Sequence, residues 1–387
     1  MKLRRMLLAL AAFAAGAALP LSAQQSLNAV WGSGPNDIWT VGSAPVALHW
    51  DGRAWNEVPV GVKLEGSLEG IWGSGPRDVF AVGGGGMILH FGGESWTRMP
   101  SPSSEELVAV GGRGPRDVYA IAQSENDRQA PQLLHYDGTA WTAAPLPFPF
   151  RATGLAVAGG EVVVAGFVYF DPQPKERRQV GVVARWSAGR WTTQGWDGQR
   201  VGEPVPGSAG WTRVSAGGGA VLLFGQREDG TQTIALSTAG GAWTALPPAA
   251  SAMSRTHVRQ VALAGDPTPL ALYEGPSFAR FTGGRWVAVS GQDRMMQMMS
   301  AAQQSPAAAA QMQQMMMQMG ARMAAYEMSQ ANAVWGTSAA DFFVVTGEGR
   351  IVHVHGDDAM IVYDAACGNP AAAGMNPICQ ALQAKPQ

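Results

Sequence analysis

Residues 68–99 read LEGIWGSGPRDVFAVGGGGMILHFGGESWTRM, and the same pattern recurs along the chain. Residues 27–58 open with LNAVWGSGPNDIWTVG and close with ALHWDGRAWNEV, and 107–144 open with LVAVGGRGPRDVYAIA and close with LLHYDGTAWTAA. Copies at 152–194, 210–246 and 257–289 are worn, but they end on RWSAGRW, STAGGAW and FTGGRW. A seventh, at 331–364, recovers the opening in ANAVWGTSAADFFVVTG. The closing residues Trp55, Trp96, Trp141, Trp191, Trp243 and Trp286 lie 41, 45, 50, 52 and 43 positions apart. A period of about 40–50 residues with four short apolar runs per unit is the signature of a propeller blade. The seven units predict an all-β, seven-bladed β-propeller.

Within a unit, the runs are rich in Val, Ile, Trp, Leu and Ala and poor in charge, as expected for strands covered on both faces. GSGPND and GSGPRD have the composition of a turn between the first two strands, and Asp51-Gly52 and Asp137-Gly138 of one between the third and fourth. Asp37, Asp78, Asp117 and Asp341 recur at the end of the first turn, where a carboxylate is expected to accept backbone N–H groups. His49, His90, His135 and His353 recur in the third strand, which points to a structural role in the repeat. His355 follows His353 by two positions, on the same face of that strand, and a His-x-His pair is a weak metal signal.

The HWDGRAW, HFGGESW and HYDGTAW closings resemble those of Asp-box and kelch-type propellers, and the VWGSGPxDvwaVG opening resembles repeats of secreted bacterial propeller proteins. The DGxxW spacing has one residue fewer than an Asp box. The arginine cluster and Tyr/Glu pair of sialidase-type enzymes also find no matching positions. The resemblance therefore implies an architecture and no catalytic site.

Fifty Gly, 25 Pro and 14 Trp with 14% charged residues suit short strands and tight turns, and 46% hydrophobic residues exclude global disorder. Lys2, Arg4 and Arg5 precede an apolar run over 6–19, and Leu21-Ser22-Ala23 offers a cleavage point, the pattern of a signal peptide over residues 1–23. That run is too short to span a bilayer. Removing it leaves 387 − 23 = 364 residues with net charge (27 − 3) − 29 = −5. An exported protein in the periplasm or medium is expected, and the acidic balance argues against nucleic acid as a partner.

Function is sought in the loops. The connection Phe167–Gln179, FVYFDPQPKERRQ, places Tyr169 and Phe170 beside Arg177 and Arg178, a combination favoured at protein-binding hot spots. Residues 290–330 hold 11 of the 18 Met, and Met312, Met315, Met316, Met319 and Met323 fall on one stripe of an amphipathic helix. The stripe reads as an apolar face packed on the propeller, as a protein-binding face, or as a thioether site for Cu(I). Cys367 and Cys379, in the 365–387 tail, are expected to form a disulfide. No GxSxG, HExxH, Walker or Rossmann motif has a usable context, and no cofactor is implied. The sequence-level reading is a non-catalytic propeller that binds an envelope or extracellular protein through the loop face carrying 290–330. Glycan binding or glycan chemistry stands as an alternative, and the latter would require paired carboxylates in the central funnel.

Overall fold

The computed structural model describes residues 25–368, except 127, 174–175, 208–209, 228, 239, 250–257, 274–276 and 291–329, together with Cys379 and Leu382. Seven four-stranded antiparallel sheets each take their strands in sequence order, so every blade is one contiguous repeat. Blade 1 comprises Leu27–Gly34, Asp37–Gly42, Val46–Trp50 and Trp55–Pro59. Blade 7 comprises Ala331–Ser338, Asp341–Thr346, Arg350–His355 and Asp358–Asp364. The first strands form the inner wall, and that of blade 7 lies against that of blade 1, closing the ring. No described helix is long and apolar enough to cross a membrane.

The core is divided among the blade interfaces. Trp39, Val41 and Ala47 of blade 1 cluster with Leu68, Val79, Phe91 and Trp96 of blade 2. The same arrangement recurs around the ring, ending with Phe343, Val345 and Ile351 of blade 7 against Leu27, Ile38 and Leu48 of blade 1. Covered on both sides, second strands such as Asp37–Gly42 are buried almost throughout, whereas the outer strand Trp55–Pro59 is half exposed.

The Trp-Gly dipeptide of the repeat has a direct packing explanation. A Cβ on Gly73 would stand 2.6 Å from the Trp31 ring, one on Gly112 2.6 Å from Trp72, and one on Gly32 2.7 Å from Trp335. Each tryptophan therefore lies on the glycine of the next blade, and the ring closes on the same contact it uses between its early blades. Covering such an indole removes about 200 Å² from water, roughly 5 kcal/mol of gross hydrophobic stabilisation.

The start of the tail packs across this seam, against connections between second and third strands. Ala365 packs on Ala44 of blade 1, and its N–H donates to Gly349 O at 3.1 Å. Cys367 and Cys379 form the expected disulfide, with Cα atoms 5.2 Å apart.

Candidate functional site: the channel mouth

In each blade the first strand starts where the preceding blade is left, so the inter-blade connections and the second-to-third connections share one face of the disc. The opposite face carries the turns between first and second strands and between third and fourth.

That second face holds the recurring Asp and His residues, and their chemistry differs from the Asx-turn expectation. His49 Nε2 donates to Asp37 Oδ1 at 2.7 Å, and Ser33 Oγ donates to Asp37 Oδ2 at 2.5 Å. His90–Asp78 at 2.7 Å, His135–Asp117 at 2.9 Å and His353–Asp341 at 2.7 Å repeat the clasp. Each imidazole stacks on or tilts against the aromatic opposite it: Trp39, Phe80, Tyr119 or Phe343. The carboxylates thus bond side chains across two strands rather than backbone N–H groups of their turn, because register places the histidine opposite the third residue of the second strand. Burial pushes the Asp37 carboxyl up, but the hydrogen bonds from His49 and Ser33 outweigh it and hold it below the usual range. Asp51 and Asp137 do act as turn carboxylates, accepting from Arg53 and Ala54 N and from Thr139 and Ala140 N.

The first face carries the elaborations. The expected loop over Phe167–Gln179 is in fact a continuation of two strands, Glu161–Gln173 and Glu176–Ser187. Val, Tyr and Phe are strong strand formers, and the ladder runs on through Tyr169↔Gln179 and Phe170↔Arg178, making a ribbon much longer than the other blades' hairpins. Tyr169 is 46% exposed and meets Phe167 edge to face. Arg177 lies in the returning strand beside Arg178. Gln179 fills the space over Gly210, which seats the ribbon on blade 5. The connection after blade 4 folds back on itself through the Trp196–Val201 bridge and buries Val205. Met312, Met315, Met316, Met319 and Met323, with most of the 290–330 insertion, lie outside the described residues, as does the 1–23 segment.

Between these elaborations opens the central channel, a cavity of about 410 Å³ lined by the first strands of all seven blades. Glu69 and Glu106 stand at the start of their strands, on the side of the first face, and Arg213 lies deeper. Asn28 Nδ2 donates to Glu69 Oε1 at 3.1 Å, and Arg213 Nε donates to Gln260 Oε1 at 3.2 Å. Among the described residues neither glutamate has a cation at ion-pairing distance. Burial first, and then the like charge of Glu106, push the Glu69 carboxyl above the usual carboxylate range. Arg213 is solvent-accessible along the channel yet ringed by the inner strands, and their crowding lowers its guanidinium pKa while the Glu69 charge works the other way. The mouth is a partly desolvated polar ring short of counter-charge. Sequence reading missed these three residues, which lie 37 and 107 positions apart along the chain. The available signal was a polar residue at inward positions of otherwise apolar first strands.

No protein-family model matches the chain, and no curated protein matches it. Among solved structures it is similar to YCF48 bound to D1 peptide, with TM-score 0.54, 13% identity, and 87% of this chain and 95% of that chain covered. YCF48 from Cyanidioschyzon merolae matches with TM-score 0.53 and 14% identity over 87% and 97% of the chains. The WD40 β-propeller domain of Doa1 matches with TM-score 0.52 and 10% identity over 85% and 92%. At these identities the likeness establishes the propeller fold.

Proposed function

We propose that this chain is an exported, non-catalytic propeller that binds an extended segment of an envelope or extracellular protein across the first face, with a basic side chain of the partner seated between Glu69 and Glu106. The observation that carries the reading is the like-charged Glu69–Glu106 pair, with Glu69 half-buried, Glu106 exposed beside it and no cation at ion-pairing distance among the described residues. A lysine or arginine entering the mouth relieves that repulsion, and Arg213 is placed deeper to take a carbonyl or carboxylate. The exposed Tyr169 on the ribbon supplies an aromatic anchor on the same face. That YCF48 has been solved with a D1 peptide supports the reading at the level of architecture alone. Export, and membership among secreted bacterial propeller repeat proteins, rest on the 1–23 pattern and the repeat motif.

The test is capture from envelope extract and culture medium with three baits: the mature protein, a Glu69→Gln/Glu106→Gln variant and a deletion of 291–329. A protein held by the mature form and lost from the double variant supports the reading. A partner lost only with the deletion moves the site to the Met-rich insertion, where Cu(I) titration is the next arm. Identical captures from all three sink it.

The same two carboxylates favour one other reading. A carboxyl pushed above the usual carboxylate range by burial, beside a second carboxyl, is the kind of pair that glycoside hydrolysis uses. Release of reducing sugar by the mature protein, abolished in Glu69→Gln, would replace the binding proposal with that one.

A further inference from the structure

We propose that Asp341, His353 and His355 form a binding site for one divalent transition-metal ion of the Zn²⁺ class, on the face opposite the channel mouth. The other three Asp–His clasps serve as internal controls. In blades 1 and 3 the residue two positions after the clasp histidine is Asp51 or Asp137, whose carboxylate is occupied by its own turn. In blade 2 it is Gly92. Only in blade 7, among the described residues, is it a second imidazole, and there His355 Nδ1 stands 3.6 Å from Asp341 Oδ1.

That separation is too long for a hydrogen bond and suits two ligands of one ion. Donors about 2.1 Å from a tetrahedral Zn²⁺ lie about 3.4 Å from one another. One donor atom from each of the three residues falls within 4.8 Å of the others. The 2.7 Å contact between His353 Nε2 and Asp341 Oδ1 must open by about 0.7 Å to admit the ion. A small rotation of Asp341 provides this, since its other oxygen is held only by Thr337 Oγ1 at 3.2 Å. The ion takes the His353 Nε2 position as the ring passes to its Nδ1–H tautomer, so no net proton need leave that ring.

The surroundings are already set. His353 lies parallel to Phe343 with centroids 4.1 Å apart, fixing one ligand. The turn after His355 is clamped from blade 6, where Arg280 donates to Gly356 O and, at 2.8 Å, to Asp357 Oδ1. Asp357 thereby answers the Arg280 charge. His355 itself is 80% exposed, so the remaining coordination positions face solvent and an ion has free access. Two imidazoles and a carboxylate select Zn²⁺, Ni²⁺ or Cu²⁺ over Ca²⁺ or Mg²⁺, and differ in kind from the thioethers that would take Cu(I).

The experiment is calorimetric titration of the untagged mature protein with Zn²⁺, read together with imidazole NMR. The expected result is a saturable equivalent whose Kd rises at least tenfold in His355→Ala. Zn²⁺ should shift the His353 and His355 ring signals and leave those of His49, His90 and His135 in place. Because His355 is exposed, its replacement leaves the fold intact, and Zn²⁺ should raise Tm in the wild type and not in the variant. No saturable Zn²⁺ uptake, or uptake that survives His355→Ala within twofold, overturns the proposal.

Discussion

Blades 7, 1, 2 and 3 and blades 4, 5 and 6 solve the same packing problem with different side chains. In the first arc an Asp–His clasp ties the second strand to the third within one blade, and tryptophans lie on glycines between blades. In the second arc both devices are gone. Blade 4 has Glu161 at the aspartate position and Arg185 at the histidine position, paired at 2.9 Å, and Arg185 reaches on to Ser237 Oγ and the Trp243 ring of blade 5. Blade 5 fills the equivalent positions with Ala220 and Leu236. Blade 6 places Arg280 there, bonded to Ala339 O and Asp357 of blade 7. In blades 4 and 6 an arginine at the histidine position carries the polar tie on to the next blade, and blade 5 has no tie at these positions. The worn arc also carries the long ribbon, the folded connection after blade 4 and the 290–330 insertion. A filled interface is common to all the blades, and the Asp–His motif is one of several ways to add a polar tie to it.

The largest effect is expected from Arg185→Met. It leaves Glu161 without its partner in a site where Arg185 is only 12% exposed, and should destabilise the protein by about 3 kcal/mol in chemical denaturation. A loss below about 1 kcal/mol would mean that the worn arc is held by apolar burial alone. Next is Gly73→Ala, which drives a methyl group into Trp31 and should cost about 2 kcal/mol. Ala216→Val, at the equivalent place in blade 5, should stay within about 0.5 kcal/mol. Equal effects would show that the tryptophan seat is not special to the first arc.

Asp37→Asn probes the clasp and should cost about 1 kcal/mol at neutral pH. The folded Asp37 carboxyl titrates below its unfolded value, so its contribution is complete above about pH 4 and vanishes as pH falls through the folded value. The gap between wild type and variant should therefore close in acid, as followed by denaturation at a series of pH values. Leu236→Ala in blade 5, where no carboxylate takes part, should show a gap that does not change over the same range.

The fold was legible because GSGPxD, the closing tryptophans and the recurring histidines repeat at blade spacing. The histidines could be read as structural from recurrence alone. Their partner could not, because Asp37 and His49 meet only once two strands are set in register. The ribbon was hidden by its Pro and charged residues near the tip, which look like a loop although Val168 and Tyr169 extend the ladder. The channel mouth was the least legible. Glu69, Glu106 and Arg213 come together only through closure of the ring, and no local spacing records that.

The proposed binding role requires a partner protein to dock on the face of the channel mouth. The most direct measurement places a photo-crosslinking residue at Tyr169 on that face or at Glu94, exposed on the opposite face, in the protein as made by its own cell. A discrete adduct is expected from position 169, lost when Glu69→Gln/Glu106→Gln is added, and none from position 94. Adducts from position 94 alone, or from 169 unchanged by the double substitution, would contradict that role.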